Sequence, residues 1–248
     1  VLATGQVEAC WPGWAAALRE EGRPVAHVLA EGFVPPTQAA GERWAVIGGG
    51  ISAVQVALRL VALGAAVTIV ADRVPRCTEL DSDLRWGREG SQRMWMRLDP
   101  EARARLLPRA RYRGSVPPAL WERAQRERRR GRLRLVLGEP TGATSPAGLC
   151  VRAGGEAIEV DRVVLATGLS APLPSQRWLV AVARSLELPI APGLAPAVEP
   201  SLAWGHGIFV AGRLAEQALG PVAPNILGAR WAARRIVRAG RSEERRVG

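Results

Sequence analysis

The chain has 248 residues, 48% of them hydrophobic and 23% charged, with a formal net charge of +11. That is enough chain to bury a full core, as one large domain or two small ones. It holds no run of eighteen apolar residues and no charged-then-apolar start, so the sequence predicts neither a membrane span nor a leader, and a cytoplasmic location is expected.

The basic charge is carried by arginine, because the sequence contains no lysine. With abundant Ala, Gly and Pro, this reads as the coding bias of a GC-rich genome. The densest run, residues 123–134, reads as a solvated helix end leading into a strand, so no nucleic-acid partner is expected. Cys10, Cys77 and Cys150 are scattered without a CxxC pair, which argues against a disulfide scaffold, a metal site and a dithiol redox centre.

Val1-Leu2-Ala3-Thr4-Gly5 opens the chain on an apolar strand rather than on Met, so further residues are expected upstream. Residues 11–43 carry Pro12, Pro24, Pro35 and Pro36 and read as a connector, with a short helix near 14–18 and a short strand at 25–29. His27 in that strand reads as a packed or surface histidine rather than a catalyst.

Residues 44–72 are the centre of the sequence. Trp44-Ala45-Val46-Ile47 predicts a buried parallel strand, Gly48-Gly49-Gly50 a turn, and residues 51–63 a helix with Ile51, Val54, Leu58, Val61 and Ala62 on its apolar face. Gly64 stands where a helix C′ glycine belongs, and Val67-Thr68-Ile69-Val70 predicts the next strand. Strand, glycine turn, helix and strand make one right-handed βαβ unit with a dinucleotide fingerprint inside it. Gly48 permits the tight turn, Gly50 lets a pyrophosphate approach the backbone, and Ala53 is small enough for close helix–strand packing. The phosphates would lie over Gly48, Gly49, Gly50, Ile51 and Ser52, at the positive end of the helix. Past the second strand, Asp72 suits a ribose hydroxyl, whereas Arg73 or Arg76 suits a 2′-phosphate. Ala71 occupies the expected acidic position, which favours NADP.

Residues 85–113, rich in Arg and Trp, predict a helical excursion, and a helix follows from Ala119 to about Arg130. Strands are expected at 133–137 and 149–152, the latter joined by Ala153-Gly154-Gly155-Glu156 to Ile158-Glu159-Val160 as a hairpin. Val164-Leu165-Ala166-Thr167-Gly168 then repeats residues 1–5 letter for letter. Ile208-Phe209-Val210-Ala211-Gly212 predicts a last buried strand, followed by a loop and a helix from Asn225 through Arg238. His206 reads as a solvent-facing turn residue, and residues 241–248 have no apolar pattern and read as a non-native tail.

The two identical pentapeptides and the glycine fingerprint resemble flavoproteins with two dinucleotide-binding domains, in which an ATG-type strand closes each domain. Residues 48–55, 111–120 and 208–237 are most similar to bacterial lysine N6-hydroxylase/L-ornithine N5-oxygenase-like proteins. The resemblance implies an α/β fold, a Rossmann-like nicotinamide-binding domain (41–170) inserted in an incomplete FAD-binding domain. On it, residues 1–40 end the first FAD segment and connect onward, and 171–240 are the C-terminal FAD segment. It further implies that Thr167 and Gly168 lie at the nucleotide, that Gly212 approaches FAD, and that the helix at Asn225 points its N-terminus at the flavin. The implied activity is an FAD-dependent, NAD(P)H-using oxidoreductase of monooxygenase type acting on a small molecule, with hydride passing from NADPH to flavin and then to O2 and substrate. The alternative is a non-catalytic NAD(P)-binding module or a degenerate flavoprotein fragment. The residues present suggest no catalytic side chain and no metal.

Overall fold

The computed structural model describes residues 1–5, 8–112, 114–146, 148–169 and 177–247. Arg113 of the second resemblance motif, position 171 at the start of the C-terminal segment and Gly248 of the tail lie outside the described residues. The chain divides into two compact units, one of Ala9–Asp81 with Arg113–Leu169, the other of Val1–Glu8, Ser82–Tyr112 and Ser170–Gly248.

In chain order the first unit begins with α1 (Gly13–Glu20), β1 (Val25–His27), β2 (Arg43–Ile47), α2 (Ile51–Ala62), β3 (Ala66–Ala71) and β4 (Arg76–Cys77). Helices α3 (Glu89–Arg97) and α4 (Pro100–Ala110) belong to the second unit. The first unit resumes with β5 (Ser115–Val116), α5 (Pro118–Arg129), β6 (Leu133–Leu137), β7 (Thr141–Ser145), β8 (Gly148–Ala153), β9 (Glu156–Val160) and β10 (Arg162–Leu165). The second unit closes with α6 (Arg177–Ser185), β11 (Ile190–Ala191), β12 (Ala195–Pro196), β13 (Ala203–Gly205), β14 (Ile208–Phe209), α7 (Glu216–Leu219) and α8 (Ile226–Val247).

The first unit is built on a five-stranded parallel sheet in the order β1-β10-β2-β3-β6. Strand β2 shows why it is buried on both sides. Its alternate residues Trp44 and Val46 join Ala53, Val54, Ala57 and Leu60 of α2 and Ala124 of α5 in one apolar cluster. Ala45 and Ile47 join Leu149 and Val151 of β8, Ile158 and Val160 of β9, and Leu18 of α1 in another. Period-two alternation thus feeds both faces, helices on one and a three-stranded antiparallel sheet (β7-β8-β9) on the other.

Helix α2 ends as the glycine predicts. Gly64 has φ +85°, its N–H donates to Val61 O (3.1 Å), and Ala65 N–H donates to Leu60 O (3.1 Å), the paired bonds of a Schellman turn. The Arg43 side chain ties β2 to the turn before β10, donating to Asp161 at 2.6 Å while its backbone N–H donates to the same carboxylate at 2.8 Å. That double contact holds the Asp161 carboxyl below its ordinary range.

In the second unit, Leu2 bridges Val210 in parallel, so both copies of the repeated pentapeptide sit in parallel pairings. Three readings of this region change. The strand expected over 208–212 is only Ile208–Phe209, half-buried and paired antiparallel with β13. The segment expected to be a loop after Arg213 is instead a run of short helical turns with Glu216, Gln217, Ala218 and Leu219 all buried. Its carbonyls are bound by side chains of the excursion: Gln92 Nε2 donates to Leu219 O (2.7 Å), while Trp95 Nε1 (3.1 Å) and Arg103 Nη1 (2.9 Å) donate to Gln217 O. Helix α8 runs through Val247 rather than ending at Arg238, since Ala, Arg and Glu are strong helix formers and no proline interrupts them. Among the described residues no helix is long and apolar enough to cross a membrane.

Candidate nucleotide site

The candidate site of the first unit is where β2 turns into α2. Ile47 ends the strand, and Gly48 N–H still donates to Val70 O of β3 (2.8 Å) while its φ reaches +131°. A Cβ on Gly48 would stand 2.5 Å from Ala166 O, so no side chain fits. Gly49 is close-packed as well, its Cβ position lying 3.2 Å from Ala71 Cβ and 3.5 Å from Arg73 O.

Gly50 is the N-cap of α2, in an extended conformation that any residue adopts, and no side chain caps the helix. The first intrahelical bond runs from Val54 N–H to Gly50 O (3.1 Å). The amides of Ile51, Ser52 and Ala53 therefore head the helix without a side-chain cap, a backbone anion cradle at the positive end of the dipole. Ala53 is fully buried against the sheet, Ser52 half-buried and Ile51 exposed. Its chemistry suits a diphosphate, since Gly50 adds no side chain before the helix end and three amides head it.

Thr167 and Gly168 follow β10, the strand next to β2, with Ala166 N–H donating to Ile47 O (2.7 Å). Asp72 and Arg73 follow β3 on the other side and form an exposed ion pair of 3.0 Å. All of these residues gather at the C-terminal edge of one parallel sheet, where open α/β folds take ligands. Gly212 and Asn225 belong to the second unit. Gly212 has φ +62°, and Asn225 Oδ1 accepts from Gly228 N–H (3.0 Å), which makes it the N-cap of α8.

Sequence reasoning missed two members of this edge. Gly114, at φ +74°, lies 3.4 Å from the Cβ position of Gly50, so the second resemblance motif meets the first. The signal was present: a glycine in an otherwise bulky stretch, Arg111-Tyr112-Arg113-Gly114-Ser115. The other is His27, which is packed, as read, and 1% exposed. Leu29 N–H donates to its Nδ1 (3.0 Å), and its Nε2 lies 3.0 Å from Thr167 Oγ1, whose hydroxyl donates to Cys10 O (2.5 Å).

Burial lowers the pKa of His27 from its ordinary 6.5. Below pH 6.5 the unfolded chain therefore binds the proton that the folded chain excludes, so stability is whole above 6.5 and declines as pH falls. The slope is expected to be at most about 1.4 kcal/mol per pH unit from this one group. Denaturant melts between pH 7.5 and 5.5 on the protein and on His27→Asn test it, the variant losing that part of the slope. Among the described residues no group of three His, Cys, Asp or Glu is placed to hold a metal.

No protein-family model matches the chain, and comparison with curated proteins gives no match. Solved structures do match. The cadaverine monooxygenase DfoA of Erwinia amylovora, bound to FAD, superposes with a TM-score of 0.69 at 16% identity, over 94% of this chain and 58% of that one. L-lysine 6-monooxygenase from Pseudomonas syringae gives 0.68 at 19% identity, over 100% and 64%. The chain has the fold of these monooxygenases. The ornithine N-hydroxylase KtzI of Kutzneria sp. 744, in a complex with reduced FAD, NADP+ and L-ornithine, gives 0.64 at 17% identity, over 90% and 59%. The chain thus spans less than two-thirds of the length of each, and what it shares with them is the α/β, Rossmann-like architecture.

Proposed function

We propose that this chain is the nicotinamide-nucleotide-binding part, with a portion of the flavin-binding part, of an FAD-dependent, NAD(P)H-using oxidoreductase of monooxygenase type. The observation that carries the reading is the glycine turn of residues 48–50, opening onto the uncapped N-terminus of α2 at the C-terminal edge of a parallel sheet. We assign the nicotinamide nucleotide to the unit Ala9–Asp81 with Arg113–Leu169, which differs from the expected 41–170 by taking in residues 9–40 and leaving out 82–112, and the flavin side to the unit containing Gly212 and Asn225. Its fold is shared with proteins whose structures hold FAD, and in one case NADP+ as well.

The chain's own residues bind and orient. The amides of residues 51–53 hold the diphosphate, with Gly48, Gly49 and Gly50 keeping the cradle clear, and Thr167 and Gly168 close the neighbouring side. Asn225 caps α8, whose N-terminal dipole favours negative charge on a ring system placed before it. When bound, NADPH and FAD together supply hydride transfer and onward oxidation of a small molecule by O2. On this reading the substrate class is the amine side chain or diamine that the neighbours' names carry.

The test is direct. A purified protein that shows flavin colour and is bleached by NADPH supports the reading. A colourless protein that still binds NADPH favours the alternative, a nucleotide-binding module without turnover. A protein that binds neither refutes both.

Arg73 is proposed to select NADP. Its guanidinium, now bonded to Asp72, suits the 2′-phosphate. Arg73→Ala is expected to weaken NADPH by about tenfold or more, the worth of one charge-assisted hydrogen bond, and to leave NADH unchanged. Paired titrations with NADPH and NADH measure the difference, and equal loss for both would refute the assignment.

A further inference from the structure

We propose that His27 is a positioning residue of the nucleotide site. As the neutral imidazole protonated on Nε2, it holds Thr167, and through Ala166 the Gly48 turn, in the shape that takes the diphosphate of a nicotinamide nucleotide. This rests on the reading of the turn proposed above.

The hydrogen bonds around the ring run in one sense only. Leu29 N–H donates to Nδ1 at 3.0 Å, so Nδ1 carries no proton. Nε2 then carries it and donates to Thr167 Oγ1 at 3.0 Å, and the Thr167 hydroxyl donates onward to Cys10 O at 2.5 Å. Cys10 N–H returns to Gly168 O at 2.9 Å, and Ala9 bridges Leu169. Residues 167–169 are thereby fixed from both sides. On their near flank, Ala166 N–H is bonded to Ile47 O (2.7 Å), and Ala166 O occupies the space where a Cβ of Gly48 would be. Thr167 and Ala166 thus lead from a buried imidazole to the glycine turn.

A second proton on the ring must enter at Nδ1, where it meets the Leu29 N–H donor to donor. The ring must then leave that bond, and its hold on Thr167 loosens with it. Among the described residues the ring's hydrogen-bond partners are a hydroxyl and a backbone amide, and burial is what shifts it. Trp11 lies tilted against the ring, with centroids 5.5 Å apart, and Arg19 of α1 lies over Trp11. Arg23 pairs with Glu21, Arg162 of β10 pairs with Glu42, and Glu20 of α1 is exposed. Cys10 meets the system through its backbone only. The hold on Thr167 therefore lasts while the ring is neutral and fails where the folded protein takes up the proton, a point that burial moves below 6.5.

The experiment is the Kd of NADPH and of NADH for the whole chain from pH 7.5 to 5.5. The protein is compared with His27→Asn, Thr167→Val and Thr167→Ser. Asparagine keeps an acceptor for Leu29 N–H, as in an Asx turn, and is too short to reach Thr167. The 2′-phosphate of NADPH itself titrates near pH 6, so each variant is read against the unaltered protein at the same pH. At pH 7.5, His27→Asn and Thr167→Val are each expected to bind both nucleotides about three- to tenfold more weakly than the unaltered protein, the worth of one hydrogen bond, while Thr167→Ser stays close to it; acidification then brings the unaltered protein and Thr167→Ser toward the other two. Should His27→Asn fail to fold, the Thr167→Val and Thr167→Ser pair makes the same comparison without touching the ring. Equal affinities of all four proteins at pH 7.5, with NADPH bound, overturn the proposal and leave the nucleotide site standing. No binding of either nucleotide by the unaltered protein at pH 7.5 overturns the site and the proposal together.

Discussion

Gly50→Val is expected to abolish nicotinamide-nucleotide binding while the protein stays folded. The backbone at Gly50 is extended, in a region that valine favours, and its Cβ would meet Gly114 Cα at 3.4 Å, the near edge of ordinary contact. The fold therefore loses little: about 1 kcal/mol for a poorer N-cap. The ligand loses much more, because a branched side chain at the N-cap stands in front of the amides of residues 51–53. Losing two charge-assisted hydrogen bonds to phosphate corresponds to about 100-fold or more in Kd. Calorimetric titration of NADPH, alongside a thermal melt, measures both quantities. A variant that binds as tightly as the parent would place the phosphates elsewhere.

Gly48→Ala is expected to do the opposite, damaging the fold first. Here φ is +131° and the new Cβ would lie 2.5 Å from Ala166 O, a backbone atom of a residue whose own N–H is held by Ile47 O. Strained backbone and overpacking together are expected to cost about 3 to 5 kcal/mol, a large part of the stability of a typical domain. For a chain of this size that lowers the melting temperature by about 10 °C. Denaturant unfolding provides the measurement, and a melt unchanged within error would contradict the packing of Gly48 against β10. The two substitutions, two residues apart, thus separate fold from binding.

Much of the first unit was legible in residue order alone. A four-residue apolar run, three glycines, a helical periodicity and Gly64 dictate β2, α2 and a Schellman stop, because each rule acts over a few neighbouring residues. The strand at Leu133–Leu137 and the β8–β9 hairpin were equally plain, the one as an apolar run and the other around Gly154-Gly155. The candidate residues 48–53 came with them, since the proposed phosphate cradle is itself a local feature of backbone and helix end.

What the local pattern could not carry lies in pairings between distant parts of the chain. Nothing near Val25 tells it to lie beside Val163, or that β10 slides between β1 and β2. The excursion of Ser82–Tyr112 reads as helical, but its membership in the second unit depends on Gln92, Trp95 and Arg103 reaching carbonyls more than a hundred residues away. His27 is the sharpest case. In sequence it is one histidine in a short strand expected over 25–29. In the folded chain it is a buried donor to Thr167, 140 positions onward. Composition and periodicity determine which segments become strands and helices, because those depend on a residue and its immediate neighbours. Only the tertiary structure decides which strands lie side by side, and so which side chains meet at the edge where the nucleotide is proposed to bind.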